Sequence, residues 1–159
     1  MNRVFQLQVK MLQRIAEFEN SIVSRAYPLN WERIHMISSA KVAEILAMKR
    51  GVDPELAAAA CSVHDYGRIV TGLQKNHAET GYIPVKAFLS DLGIFNSSEI
   101  EQISNAARNH SKKNETGTPL EEVVKDADVF DCWRYNLPLE REEQRIRLEN
   151  VLKELKGTL

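Results

Sequence analysis

A histidine and an aspartate stand side by side at His64 and Asp65, in the stretch VHDYGR that follows the alanine-rich run ELAAAACS. A buried apolar helix has little use for adjacent imidazole and carboxylate groups, because a buried charge is costly unless it is paired or bound to a metal. The pair therefore asks for partners elsewhere in the chain. The other histidines, His35, His77 and His110, each fall on or at the end of an expected helix, and the acidic cluster KDADVFD follows them in an otherwise apolar helical stretch. There Val124, Ala127 and Phe130 lie near one face, so a helix packing them inward draws Asp128 toward the interior as well. His35 lies beside an inward stripe expected at Ile34, Val42 and Ile45, where Ser38 and Ser39 leave room and supply hydroxyls. On a continuous helix His64 and Asp65 project about 100° apart. At a helix end, which Gly67 is expected to provide, both can turn toward one ion. Imidazole nitrogen plus carboxylate oxygen from three helices suits Fe, Mn, Zn or a similar divalent ion.

The elements that must position these groups read as helical almost throughout. VFQLQVKMLQRIAEFENSIV carries an amphipathic stripe at Val4, Leu7, Met11, Leu12, Ile15 and Phe18. The next helix is expected to start at Asn30 as N-cap, turn Ile34, Ile37, Val42, Ile45 and Leu46 inward, and end at Gly51. Asp53 and Pro54 open a third helix that runs to Gly67. A fourth spans about Asn76 to Ser90 and must accommodate Pro84 by a kink or a late start. Ser98 with Glu101 and Thr118 with Glu121 each fit a capping box, and start the helices EIEQISNAARNH and PLEEVVKDADVFDCWRY. Asn136-Leu137-Pro138 breaks the chain before a last charged helix, LEREEQRIRLENVLKELK, a solvated face over the core. No strand, repeat or linker is evident. The reading is all-α, a single-domain compact helical bundle over residues 1–159.

Composition narrows the function classes. At 159 residues the chain can bury a core without disulfides, and 43% hydrophobic with 27% charged residues is ordinary for a soluble protein. A net charge of −1 with interleaved signs disfavours a nucleic-acid partner. No apolar run approaches the roughly 20 residues that span a bilayer, and the start MNRVFQLQVK has no signal-peptide core, so no membrane partner is expected. Cys61 and Cys132 read as reduced core thiols, and the expected location is cytoplasmic. Trp31, Trp133 and Tyr135 read as core and edge aromatics. Arg68, Lys75 and Arg108 flank the suspected ligands and could hold phosphate oxygens, Arg68 bidentately.

The order His35, His64-Asp65, Asp128 resembles the HD superfamily of metal-dependent phosphohydrolases, whose pattern is a His, then a His-Asp pair, then a distant Asp on a helical core. AAAACSVHDYGRI and VVKDADVFDCW resemble that family's second and last motifs, the latter favouring Asp128 over Asp126. Tyr66 and Arg68 depart mildly from it, where an aliphatic residue and a lysine are usual. The resemblance covers about residues 30–135. It implies a cytoplasmic phosphohydrolase that cuts a phosphoester or phosphoanhydride of a nucleotide or small phosphorylated metabolite through a metal-activated hydroxide, acting as monomer or homodimer. It implies one or two divalent ions (Fe, Mn, Zn, Ni, Co or Mg) on His35, His64, Asp65 and Asp128. In the two-metal subset Asp65 bridges, and His77 and His110 bind the second ion. In a one-metal site those two histidines serve as proton donors or phosphate contacts. Asp65, His64, His77 and Arg68 are the expected catalytic groups, with Lys75 and Arg108 joining Arg68 on substrate. Two other classes share the ligand pattern: a di-iron oxygenase and a non-catalytic ligand-binding module.

Overall fold

The computed structural model describes residues 2–156; Met1 and residues 157–159, which the expected single domain also includes, lie outside the described residues. Eight helices and no strand occur among the described residues: α1 (Arg3–Ala16), α2 (Leu29–Arg50), α3 (Pro54–Val63), α4 (Tyr66–Thr71), α5 (His77–Leu92), α6 (Ser97–Asn109), α7 (Pro119–Arg134) and α8 (Glu142–Lys156). The all-α architecture follows the sequence, and its centre is α3. Ala57, Ala58, Ala59, Ala60, Cys61 and Val63 are all buried, so this helix is apolar on every side and α1, α2, α6 and α7 pack around it. Alanine permits that crowding because its short side chain lets neighbouring backbones come close. Asp53 starts α3 as expected, accepting from the amides of Glu55 and Leu56, with Pro54 in the first turn.

Several boundaries and faces differ from the sequence reading. The amphipathic stripe of α1 is buried at Val4, Leu7, Met11 and Ile15, but the helix ends at Ala16. Helix α2 starts one residue before Asn30 and is rotated from the expected face: Leu46 is buried as read and Val42 packs partly against the core, but Ile34, Ile37 and Ile45 are exposed, and Met36, Ser39, Ala40, Ala43 and Ala47 face inward with His35 and Glu32. The wide isoleucines cannot approach the alanine wall of α3, whereas alanine and serine can. Helix α5 begins at His77 and runs through Pro84, so there is no late start. The capping box of α6 lies at Asn96 and Glu99 rather than at Ser98, while that of α7 is at Thr118 and Glu121 as read. Trp133 and Tyr135 sit on the surface. Cys61 and Cys132 are both free, Cys61 in the core and Cys132 half-buried.

Gly67 also has a different job from the one expected. The chain bends earlier, at Asp65, whose φ of −95° and ψ of 11° break α3 from α4, and Gly67 lies inside α4. A Cβ at Gly67 would stand 2.8 Å from the Gly81 nitrogen and closer still to the His77 carbonyl oxygen. Two glycines thus let α4 and α5 touch backbone to backbone, which brings His77 beside Asp65. Gly67→Ala is expected to cost about 1–3 kcal/mol, a melting temperature lower by roughly 2–12 °C. A thermal melt unchanged within 1 °C would show that the two helices separate freely.

Candidate metal centre

Three histidines sit at helix ends and share one device. His64 caps α3, His110 caps α6, and His77 opens α5. Each donates its Nδ1–H to the carbonyl three residues earlier: His64 to Cys61 at 2.6 Å, His77 to Gln74 at 2.7 Å, His110 to Ala107 at 2.6 Å. For His64 and His110 that carbonyl is one the helix end leaves unpaired. His35 lies within α2 and bonds Asp131 Oδ2 through Nδ1 at 2.6 Å, while Ser38 donates to the same oxygen at 2.8 Å. Carbonyls and carboxylates only accept, so every Nδ1 is the protonated nitrogen and a neutral ring turns a bare Nε2 lone pair inward. Metal-binding histidines are commonly oriented by this kind of bond.

The four Nε2 atoms meet in two pairs. His35 and His64 stand 3.1 Å apart, His77 and His110 3.0 Å. Lone pair against lone pair repels unless a cation joins them. Two ligand atoms at right angles, each about 2.1 Å from an ion, lie about 3 Å apart, so the spacing fits shared coordination. Asp65 spans both pairs. Its Oδ2 lies 3.1 Å from His64 and 3.5 Å from His35, and its Oδ1 lies 3.0 Å from His77 and 3.7 Å from His110. Asp128 Oδ1 closes the first group at 3.1 Å from His35 and 3.6 Å from His64. The candidate ligand atoms of His35, His64 and Asp65, and those of Asp65, His77 and His110, each fall within 4.8 Å of one another. The donor set, nitrogen and carboxylate oxygen on buried side chains, can hold a divalent ion.

Protonation follows the same geometry. Burial opposes a proton on His64, but the charges of Asp65 and Asp128 outweigh it and push its pKa up to about 10. Burial likewise works against ionised Asp65, yet Arg68 and His64 hold its pKa well below the usual range. Asp128 is held low in spite of burial, chiefly by Lys113. His110 goes the other way: burial and then the charges of His64, His77 and Lys113 push its pKa well down. A proton can therefore ease the first pair of rings when no metal is bound. A divalent ion held between the rings of the second pair would take up both of its lone pairs.

Two buried cations orient the carboxylates. Arg68 reaches Glu32 through Nε at 2.8 Å and Nη2 at 3.0 Å, Gln74 through Nη1 at 2.9 Å, and also bonds Asp65 Oδ2. Lys113 donates to Asp128 Oδ2 at 2.6 Å. The sequence reading singled out neither Glu32, Lys113 nor Asp131. Each sits three residues from a candidate ligand, at His35, His110 and Asp128, on the same helical side or turn, and that spacing was the available signal. Arg68 was expected to grip phosphate; it lines the cleft, with most of its N–H groups already bonded to Glu32, Gln74 and Asp65. Lys75 and Arg108 do not line the cleft, and Arg108 forks instead to Glu79 at 2.8 and 2.6 Å. Asp126 points away from the centre to Arg50 and Arg147, both at 2.8 Å.

Comparison with known proteins agrees with this geometry. Residues 33–133 match the model of the HD domain family, and the chain belongs to that family. Its fold is similar to the crystal structure of a predicted HD superfamily hydrolase from an uncultured Thermotogales bacterium, at 21% identity and a TM-score of 0.61, over 94% of this chain and 90% of that one. No curated protein matches the sequence. Family and cluster together support a metal-dependent hydrolase as the kind of protein. No helix among the described residues is long and apolar enough to cross a membrane. Asp128→Ala is expected to lower the bound metal to half or less per chain by elemental analysis. Asp126→Ala should keep the metal and lose about 1–3 kcal/mol of stability. Equal metal loss in both would place Asp126 in the centre.

Proposed function

We propose that this chain is a phosphohydrolase that uses two divalent ions to cut a phosphoester or phosphoanhydride of a nucleotide or other small phosphorylated metabolite. One observation carries the reading: the two oxygens of Asp65 face two separate histidine pairs, the placement of a bridging carboxylate. His35, His64 and Asp128 would complete one position, His77 and His110 the other. Bound ions would supply Lewis acidity, bringing the pKa of water toward neutrality and neutralising phosphoryl charge.

The chain's own groups do the rest. Nδ1–H bonds hold all four rings in one tautomer and one orientation, so the lone pairs need no rearrangement during turnover. Arg68 and Lys113 pin Asp65 and Asp128 and keep them ionised. Burial of His35, His64, Asp65, His77 and His110 keeps bulk water off the ligands while the cleft admits substrate from one side.

Metal analysis of protein purified without chelator should give two ions per chain. His77→Ala and His110→Ala should each leave one, and Asp65→Ala neither. Chelation should lower the melting temperature by roughly 5 °C or more, because the acceptors then face each other unjoined. Phosphate release from a nucleotide panel with Mn, Fe, Co, Ni or Mg, under argon, completes the test. A product formed only with oxygen would make the centre a di-iron oxygenase instead. One ion per chain in the parent protein would return His77 and His110 to proton transfer or phosphate contact.

A further inference from the structure

We infer that the cleft takes a phosphomonoester, one phosphate on an uncharged, hydroxyl-rich leaving group, and that Arg141 contacts the outward phosphate oxygens. This rests on the phosphohydrolase reading above. The centre opens into a small inner chamber of 110 Å³, beside an outer one of 400 Å³ that shares Tyr27, Gln74, His77, Ser111, Arg141 and Gln144 with it. Arg141 therefore stands at the neck between metal ligands and solvent. It lies beyond residues 33–133, the segment that matches the family.

Cations decide what the neck can hold. Arg68, Lys113 and Arg141 are the arginine and lysine residues lining the inner chamber. Arg68 is committed to Glu32, Asp65 and Gln74, and its guanidinium lies 4.6 Å from the Tyr27 ring centre. Lys113 is committed to Asp128 Oδ2 and, at 3.1 Å, to the carbonyl of Lys125. Turning either toward substrate would strand a buried carboxylate. Arg141 differs. It donates to the Ser111 carbonyl at 3.2 Å and stands 3.3 Å from Glu143, with its side chain 45% exposed. Such exposed pairs bind weakly and give way readily, and a guanidinium fork matches two phosphate oxygens.

The outer chamber limits the rest of the substrate. Arg141 is its sole arginine or lysine among the described lining residues, Glu140 also lines it, and Gln74, Asn76, Ser111 and Gln144 are neutral hydrogen-bonding groups. A second and third phosphate would meet a carboxylate and no further cation. Hydroxyl groups would meet amides and a serine. Trp31 stacks on His35 at 4.8 Å, and Tyr27 has Arg68 on its ring, so the aromatic rings at the cleft are already engaged. In the reaction, the water oxygen bonds to phosphorus as the ester P–O bond breaks. The bonding pair leaves on the alcohol oxygen, which takes a proton, giving one alcohol and one inorganic phosphate with no redox change.

The test uses the Mn-loaded full chain with a hexose 6-phosphate, a nucleoside 5′-monophosphate, and the matching di- and triphosphates. At least one monoester should give a kcat/KM roughly tenfold or more above both polyphosphates, and comparing the two monoesters separates a sugar from a nucleoside leaving group. Equal or better turnover of the polyphosphates overturns the inference and leaves the phosphohydrolase reading standing; release from none of them overturns both. Arg141→Ala should raise KM for the preferred monoester roughly tenfold with a smaller change in kcat, and weaken inorganic phosphate binding by calorimetry to a similar degree. Arg141→Lys should recover part of both, with metal content and melting temperature unchanged throughout. Unaltered KM and phosphate affinity in Arg141→Ala would remove Arg141 from the site.

Discussion

Four imidazole Nε2 atoms and two carboxylates face one another inside the protein as two neighbouring groups, an arrangement that needs positive charge between them, and much of the chain serves to keep them there. Each ring is fixed by its far nitrogen, three of them to a carbonyl of the preceding turn and His35 to Asp131. The fold accordingly carries His64, Asp65, His77 and His110 at helix ends, where a carbonyl is free to accept and the backbone is free to bend, and only His35 and Asp128 inside helices. The bend at Asp65 is the sharpest case. It allows neighbours in sequence, which a continuous helix would point apart, to serve one centre. The close crossing at Gly67 and Gly81 then delivers His77 to the other oxygen of the same carboxylate.

A centre so rich in acceptors needs positive charge nearby even before any ion arrives, and the protein provides it in fixed form. Arg68 is held between Glu32 and Asp65, and Lys113 by Asp128 and a backbone carbonyl. These pairs are buried, so their net contribution to stability is small against the cost of desolvation. Their effect is on geometry: Lys113 grips the Asp128 oxygen that faces away from the rings, and Arg68 grips the Asp65 oxygen that faces His35 and His64, so neither carboxylate can rotate freely. Glu32 is then part of the centre's support although it touches no candidate ligand itself.

The parts of this arrangement legible in sequence were those written in side-chain type and order. The order His35, His64-Asp65, His77, His110, Asp128 sufficed to name a candidate metal centre on a helical core, and Asp53, Pro54, Thr118 and Glu121 marked two helix starts correctly because caps are local chemistry. What failed depended on packing partners. The isoleucines of α2 look like a core stripe, but the face that touches an alanine helix must be small, so Ile34 and Ile45 point outward and Ser39 and Ala43 inward. Gly67 reads as a helix stop because glycine usually is one, and its role in a backbone crossing exists only once α5 is in place. The partners of the cations were hidden for the same reason. Arg68 is beside the pair in sequence and looks available, but a buried Glu32 from another helix claims it.

Division of labour along the chain follows from where these groups lie. Every candidate ligand falls within residues 33–133, the span shared with the family, and so does Lys113. Part of the cleft's wall comes from outside that span: Tyr27 and Trp31 before it, and Leu137, Pro138, Leu139, Arg141 and Gln144 after it. The break at Asn136-Leu137-Pro138 lets the chain leave α7, cross over the centre and enter α8. Helix α8 is tied back to the core by Leu148 and Val151 and by Arg147 on Asp126. A segment anchored at both ends but free of metal ligands can change its side chains without disturbing the centre. On the proposed function, the candidate ligands and the strap from Leu137 to Arg141 divide the work, the first holding the metal and the second adding a wall to the cleft beside Gln74 and Ser111.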